Sequence, residues 1–145
     1  FIEMMPVGYG KEFDSVDHRD LLEEMKGRYK GMEKDRTRHG PGPAVYYQIP
    51  GFSGSIGFIS AIHGKFCSSC NRIRLTAQGY LKTCLCYSAG TDLRKILRAD
   101  IPDPAEKERR LEAAMEEAVR NKPQAHCFDS GARITERKNM SEIGG

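Results

Sequence analysis

Phe66-Cys67-Ser68-Ser69-Cys70-Asn71-Arg72-Ile73-Arg74-Leu75-Thr76, followed after Ala77-Gln78 by Gly79-Tyr80-Leu81-Lys82-Thr83-Cys84, is the stretch from which the rest of the chain is read. Ile73 to Thr76 and Tyr80 to Cys84 are strand candidates. Ala77-Gln78-Gly79 between them has hairpin length, so an antiparallel pair is expected with the cysteines on its loops and strand ends. Cys67, Cys70 and Cys84 stand as Cys-x2-Cys-x13-Cys: one tight turn presents two sulfurs to a single centre and the returning strand supplies the third. Side chains alternate along a strand, so Arg72 and Arg74 share one face and Ile73 and Leu75 the other. The apolar pair is expected in a core and the arginines at a site.

Cys86 adds a fourth sulfur on the Cys84 face, and Cys67, Cys70, Cys84 and Cys86 together have the composition of a closed structural zinc site. On the cysteines alone, structural zinc is the commoner use of such pairs and an iron-sulfur cluster the alternative. A Cys-x2-Cys redox pair normally opens a helix after a strand, which Asn71-Arg72-Ile73-Arg74 does not resemble. The arginines, taken singly, read as solvent-facing strand residues.

The chain has 145 residues, near the usual size of one domain, and its net charge is only +3 with 30% charged residues. That balance argues for neither nucleic acid nor membrane as a partner. No apolar run approaches the ~20 residues that span a bilayer, and five cysteines without a disulfide-framework pattern point to a reducing, cytoplasmic setting.

Working outward, Phe1-Ile2-Glu3-Met4-Met5-Pro6-Val7-Gly8 reads as a buried strand running into a turn, so the chain is expected to begin inside a larger structure; a trimmed edge strand is the alternative. Leu21, Leu22, Met25 and Tyr29 recur at helical spacing after Asp17 and Asp20, with Gly27 a weak point. Residues 30–44 turn to glycine, proline and charge, which is loop chemistry and a boundary. Val45 to Ile49 and Ser55 to Ser60 form a hairpin around Pro50-Gly51-Phe52-Ser53-Gly54. Thr91 is the expected cap of a short helix carrying Leu93, Ile96 and Leu97. Asp103 and Pro104 open a longer one with Leu111, Met115 and Ala118 on one face, ending near Asn121.

The cysteine-arginine block closely resembles the C-terminal cluster motif of the GTP 3',8-cyclase family of molybdenum cofactor biosynthesis, radical S-adenosylmethionine enzymes. Phe1-Ile2-Glu3-Met4-Met5 is similar to a late barrel strand of that family, Ile56-Gly57-Phe58-Ile59-Ser60 to the stretch before its cysteines, and Asp92-Leu93-Arg94 to the helix after them. Lys122-Pro123 through His126, and Met140-Ser141-Glu142-Ile143-Gly144-Gly145, resemble its closing segment with a double glycine.

The resemblance implies an α/β protein, α+β within this chain: the last strand of an incomplete TIM-type radical barrel (residues 1–30), a linker (31–44) and a small sheet-and-helix domain (45–145) that carries an auxiliary iron-sulfur cluster and binds GTP. It implies that Cys67, Cys70 and Cys84 hold a 4Fe-4S cluster with one iron lacking a protein ligand, that Arg72, Ile73 and Arg74 contact GTP, that Met5 lies against S-adenosylmethionine, and that Gly144 and Gly145 thread toward the active site. The product would be (8S)-3',8-cyclo-7,8-dihydroguanosine 5'-triphosphate. A second 4Fe-4S cluster and S-adenosylmethionine would come with an N-terminal barrel, whose Cys-x3-Cys-x2-Cys motif this chain lacks, so the chain alone is not expected to catalyse. A homodimer is left open. Cys86 stands where an apolar or aromatic residue is expected, as a small buried hydrophobe or an extra ligand.

Overall fold

The computed structural model describes residues 1–37 and 39–144. The chain divides into two compact units, Phe1–Pro6 with Gly10–Cys70, and Val7–Tyr9 with Asn71–Gly145.

In the first unit the sequence signals for a helix and a hairpin hold. Helix α1 (His18–Arg28) begins because the Asp17 carboxylate accepts from the Arg19 amide at 2.9 Å, with Asp20 in the first turn. Its Leu21, Leu22 and Met25, with Tyr29, pack against Met32, Ile49 and Phe58. Strand β1 (Glu33–Lys34) pairs with β2 (Val45–Gln48), which pairs with β3 (Ser55–Phe58), all antiparallel. In β2 and β3 Val45 faces Phe58 and Gln48 faces Ser55, across a turn where Gly51 has φ +85°. β1 lies inside the segment expected to be loop. Its two residues are exposed and charged, so no apolar alternation marks them; backbone pairing alone makes the strand.

The expected buried strand at Phe1–Gly8 is corrected. Only a parallel bridge joins Ile2 to Ile59, with Glu3 N–H donating to the Ile59 carbonyl at 3.0 Å and Ile59 N–H to the Phe1 carbonyl at 2.9 Å. Phe1 and Ile2 remain 59% and 66% exposed. Glu3 is turned inward while Phe1, Ile2 and Met4 stay outside, because pairing at the edge of this small sheet buries one face of the run; of its apolar members Val7 is buried and Met5 half-buried.

In the second unit β4 (Arg74–Leu75), β5 (Tyr80–Lys82) and β6 (Thr91–Asp92) form an antiparallel sheet in that order. Gly79 closes the β4–β5 turn at φ +82°, and a Cβ there would lie 2.9 Å from the Cβ of Arg94. Helix α2 (Leu93–Leu97) is capped by Asp92, which accepts from the Lys95 amide at 3.2 Å. The expected cap, Thr91, is instead paired with Leu81 in the sheet. Helix α3 (Pro104–Arg120) starts as read, with Asp103 accepting from the Ala105 amide at 3.0 Å, and ends at Asn121. Its buried face is Leu111, Ala114 and Ala118 against Leu81 and Leu93, while Met115 is exposed.

Ile73 and Leu75 were expected in a core and are 46% and 60% exposed. The reason is lateral: Leu75 sits opposite Leu81, but α2 and α3 pack on β5 and β6, leaving the apolar side of edge strand β4 uncovered within this unit. The chain end runs through 3₁₀ turns Gly131–Arg133 and Met140–Glu142 to a fully buried Ile143. Among the described residues no helix is long and apolar enough to cross a membrane.

Candidate functional site

Cys67 and Cys70 lie at the end of the first unit, where a 3₁₀ turn over Cys67–Ser69 brings the Cys70 amide to the Cys67 carbonyl at 3.2 Å. Ser69 closes the turn further, its amide donating to the Phe66 carbonyl at 3.1 Å and its hydroxyl at 3.2 Å. Two half-buried thiols are thus offered from one turn, as the Cys-x2-Cys spacing requires. Cys84 belongs to the second unit. It is also half-buried, two residues beyond the end of β5, so the strand expected to reach it is shorter than read. With Thr83, Tyr87, Glu117 and Asn121 it lines a cavity of roughly 340 Å³, within the range of small-molecule pockets.

Cys86 does not share that environment. Its Sγ is fully buried, 2.8 Å from the Sγ of Cys127, and accepts from the Cys127 amide at 3.2 Å. Burial first, and the Cys127 thiol second, push its thiol up to about 12, so ionisation to a metal ligand is opposed. The Cys127 partnership was missed in sequence, where the only signal was an odd, fifth cysteine. None of the five cysteines forms a disulfide. Within their own units, Cys67, Cys70 and Cys84 are half-buried thiols, and Cys86 is engaged by Cys127.

The arginine segment is in the second unit. Arg72 and Ile73 are exposed just before β4, and the Arg72 carbonyl accepts from Lys122 Nζ at 2.8 Å. Arg74 is half-buried and pairs across the sheet with Lys82. Gly144 reaches this strand: at φ +80°, a Cβ on it would lie 3.3 Å from the Leu75 carbonyl oxygen. The tail and the arginine strand, 70 residues apart in sequence between Arg74 and Gly144, are thus brought together. Gly145 lies outside the described residues.

The approach of the tail depends on groups the sequence did not single out. Lys82 Nζ, on β5, donates to Glu136 Oε2 and, at 2.7 Å, to the Tyr87 carbonyl; both charged side chains are buried. Glu136 Oε1 accepts from the Arg137 and Lys138 amides, each at 2.9 Å. Burial pushes the Glu136 carboxyl up, but the Lys82 ammonium and these two amides outweigh it and hold the carboxyl below its ordinary value.

Met5, in the first unit, is half-buried, and Gly10 stands so close to its carbonyl that an added Cβ would collide with it. Two residues earlier, buried Glu3 accepts from the Ile62 amide at 2.6 Å, the His63 amide at 3.1 Å and the His63 ring Nδ1 at 2.9 Å. Burial raises its carboxyl and these donors more than offset it. Among the described residues Glu3, Asp17 and His63 bring possible metal-ligand atoms within 4.8 Å of one another. Arg19 bonds the Asp17 carboxylate, at 2.9 Å through Nε, and holds it down to about 2. A charged residue inside an apolar run was the available signal for Glu3.

Comparison with known proteins locates this arrangement. Residues 1–128 match the family model described as Molybdenum Cofactor Synthesis C. The whole chain is 39% identical to a protein named GTP 3',8-cyclase from Clostridium perfringens (strain SM101 / Type A), over 145 residues that are 43% of the relative's length. It is 37% identical to a GTP 3',8-cyclase from Nostoc sp. over 151 residues, and 35% identical to one from Desulforamulus reducens over 148 residues. The chain therefore spans less than half the length of these curated relatives, 43% or 44%. With the family model covering all but its last stretch, the chain belongs to the Molybdenum Cofactor Synthesis C family.

Proposed function

We propose that this chain is the cluster- and GTP-binding portion of a GTP 3',8-cyclase, with residues 1–30 closing a radical barrel, 31–44 linking and 45–145 forming the substrate domain. The relatives named GTP 3',8-cyclase align with it from end to end, which supports the activity of the whole protein and leaves the radical-generating chemistry to a barrel beyond these residues. S-adenosylmethionine and a second 4Fe-4S cluster would be held there, with Met5 contributing from this chain.

Cys67, Cys70 and Cys84 are the proposed ligands of the auxiliary 4Fe-4S cluster. The single observation that supports the three-ligand reading is the engagement of buried Cys86 by Cys127. When bound, such a cluster supplies an iron with an open position for a purine nitrogen or oxygen. Arg72 and Arg74 would hold GTP, since their planar guanidinium groups pair with phosphate or purine oxygens in fixed geometry, and exposed Ile73 would lie against it. Gly144 and Gly145 would pass beside this strand; the close approach of Gly144 to the Leu75 carbonyl supports that path. A reducing cytoplasm suits the oxidation-sensitive cluster.

The test is metal content after anaerobic reconstitution with iron and sulfide. About four irons per chain are expected in the wild type and in Cys86→Ala. Cys84→Ala is expected to retain almost none. Equal loss in the Cys86 and Cys84 variants, or one zinc per chain, would overturn the reading in favour of a four-cysteine zinc module.

A further inference from the structure

The chain end does not lie on the second unit by chance contacts; it is fastened residue by residue. The Thr135 and Glu136 amides both donate to the Cys86 carbonyl, at 3.2 and 3.3 Å, and the Thr135 hydroxyl accepts from the Ser88 amide at 2.9 Å. Next comes the buried Lys82–Glu136 pair, then Asn139, whose Oδ1 accepts from the Tyr9 amide at 3.0 Å and whose amide donates to Glu142 at 2.8 Å. Gly8, at φ +55°, is packed so tightly on Asn139 that no side chain fits. Ile143 then anchors the last turn.

Within this sequence of contacts Glu136 has a particular geometry. One carboxylate oxygen is tied to Lys82 on β5, and the other to the amides of Arg137 and Lys138. It therefore fixes the direction in which the chain leaves residue 136. Lys82 is itself fixed, by the Tyr87 carbonyl, and stands opposite Arg74 in the β4–β5 pair. The strand that carries the arginine and the turn that launches the tail are thus joined through one buried ion pair. A buried pair of this kind contributes little net stability compared with apolar residues of the same volume, because desolvating both charges offsets their attraction. Its use is in fixing one arrangement.

We propose that Lys82 and Glu136 are positioning residues for the GTP site: they clamp the chain so that residues 137–144 run back to the arginine strand and bring Gly144 beside Leu75, the neighbour of Arg74. The clamp rests on the functional reading above only for the identity of the ligand. The path of the tail stands apart from it.

The test uses three forms of the chain, preceded by the whole enzyme's remaining sequence where turnover is measured: wild type, Lys82→Met/Glu136→Leu, and Glu136→Gln. The double variant removes both charges together, so no unpaired buried charge is left to unfold the protein. Amide hydrogen exchange is read by segment, along with iron content and GTP turnover. In the double variant, exchange over residues 137–143 is expected to rise by about tenfold or more, while β5 and α3 exchange as in wild type. Iron content should be unchanged and kcat for GTP should fall by about tenfold or more. Glu136→Gln, whose amide offers one acceptor oxygen where the carboxylate uses two and which leaves the Lys82 ammonium without its counter-charge, should show both losses at least as strongly.

Unchanged exchange over 137–143 would overturn the clamp. So would faster exchange with full turnover, since the tail would then be loose without consequence for the site. If instead the wild type fails to act on GTP at all, the functional reading falls, and the exchange comparison still decides the clamp.

Discussion

The Sγ atoms of Cys86 and Cys127 lie 2.8 Å apart in a pocket that buries both side chains, while Cys67, Cys70 and Cys84 keep partial access to solvent. Two classes of cysteine follow from that difference, one enclosed and one within reach of solvent. Brief treatment of the metal-depleted native chain with iodoacetamide near pH 8 should modify Cys67, Cys70 and Cys84, because the reagent can reach them, whereas Cys86 is enclosed and held as a thiol up to about 12. Peptide mass mapping reads the outcome. Rapid modification of Cys86 in the folded chain would contradict the division.

Arg72→Ala and Arg74→Ala should each weaken GTP binding by about tenfold or more, the loss expected for a charge-assisted hydrogen bond. Arg74→Lys should recover little, because a point charge cannot reproduce a bidentate fork. Equilibrium dialysis against GTP, with metal content held equal among the variants, checks this.

Glycine substitutions should split by environment. Gly27 is the penultimate residue of α1, with nothing within 4 Å of an added Cβ, so Gly27→Ala should stabilise the chain modestly, by about 0.5 kcal/mol. Gly79 holds φ +82° and faces Arg94, so Gly79→Ala should cost about 1–3 kcal/mol. Thermal denaturation of the two variants separates them; the same sign for both would contradict the turn geometry.

Stability should decline in acid through the buried carboxylates. Glu3 and Glu136 both have folded-state values below the unfolded 4.5. Their contribution is complete above that value and disappears as the pH falls through the lower, folded one. Glu136→Gln should therefore be less stable than wild type at pH 7, and the gap should narrow as the pH falls below the unfolded 4.5. Urea denaturation at pH 7 and in that lower range measures it.

The elements legible in the sequence are those with local signals. Asp17, Asp103 and Pro104 mark helix starts by side-chain chemistry within two residues, and Pro50–Gly54 marks a hairpin by length. What was not legible depends on distant partners. Leu75 alternates as a core residue should, yet whether it is covered depends on how far α2 and α3 extend across the sheet. Phe1, Ile2 and Met4 look buried by type and are exposed, while Glu3 among them is enclosed by donors about 60 residues away. At the site, the cysteines and arginines stood out by spacing and residue type. Cys127 and Glu136 did not, since each acquires its role only from a partner 41 or 54 residues distant.

The most direct measurement is electron paramagnetic resonance of the anaerobically reconstituted, reduced chain, recorded alone, with GTP and with ATP. A cluster held by Cys67, Cys70 and Cys84, with an iron open to the purine, should give a spectrum that changes with GTP and stays unchanged with an equal concentration of ATP. A full complement of iron whose spectrum is indifferent to GTP would contradict the central claim that the cluster receives the nucleotide.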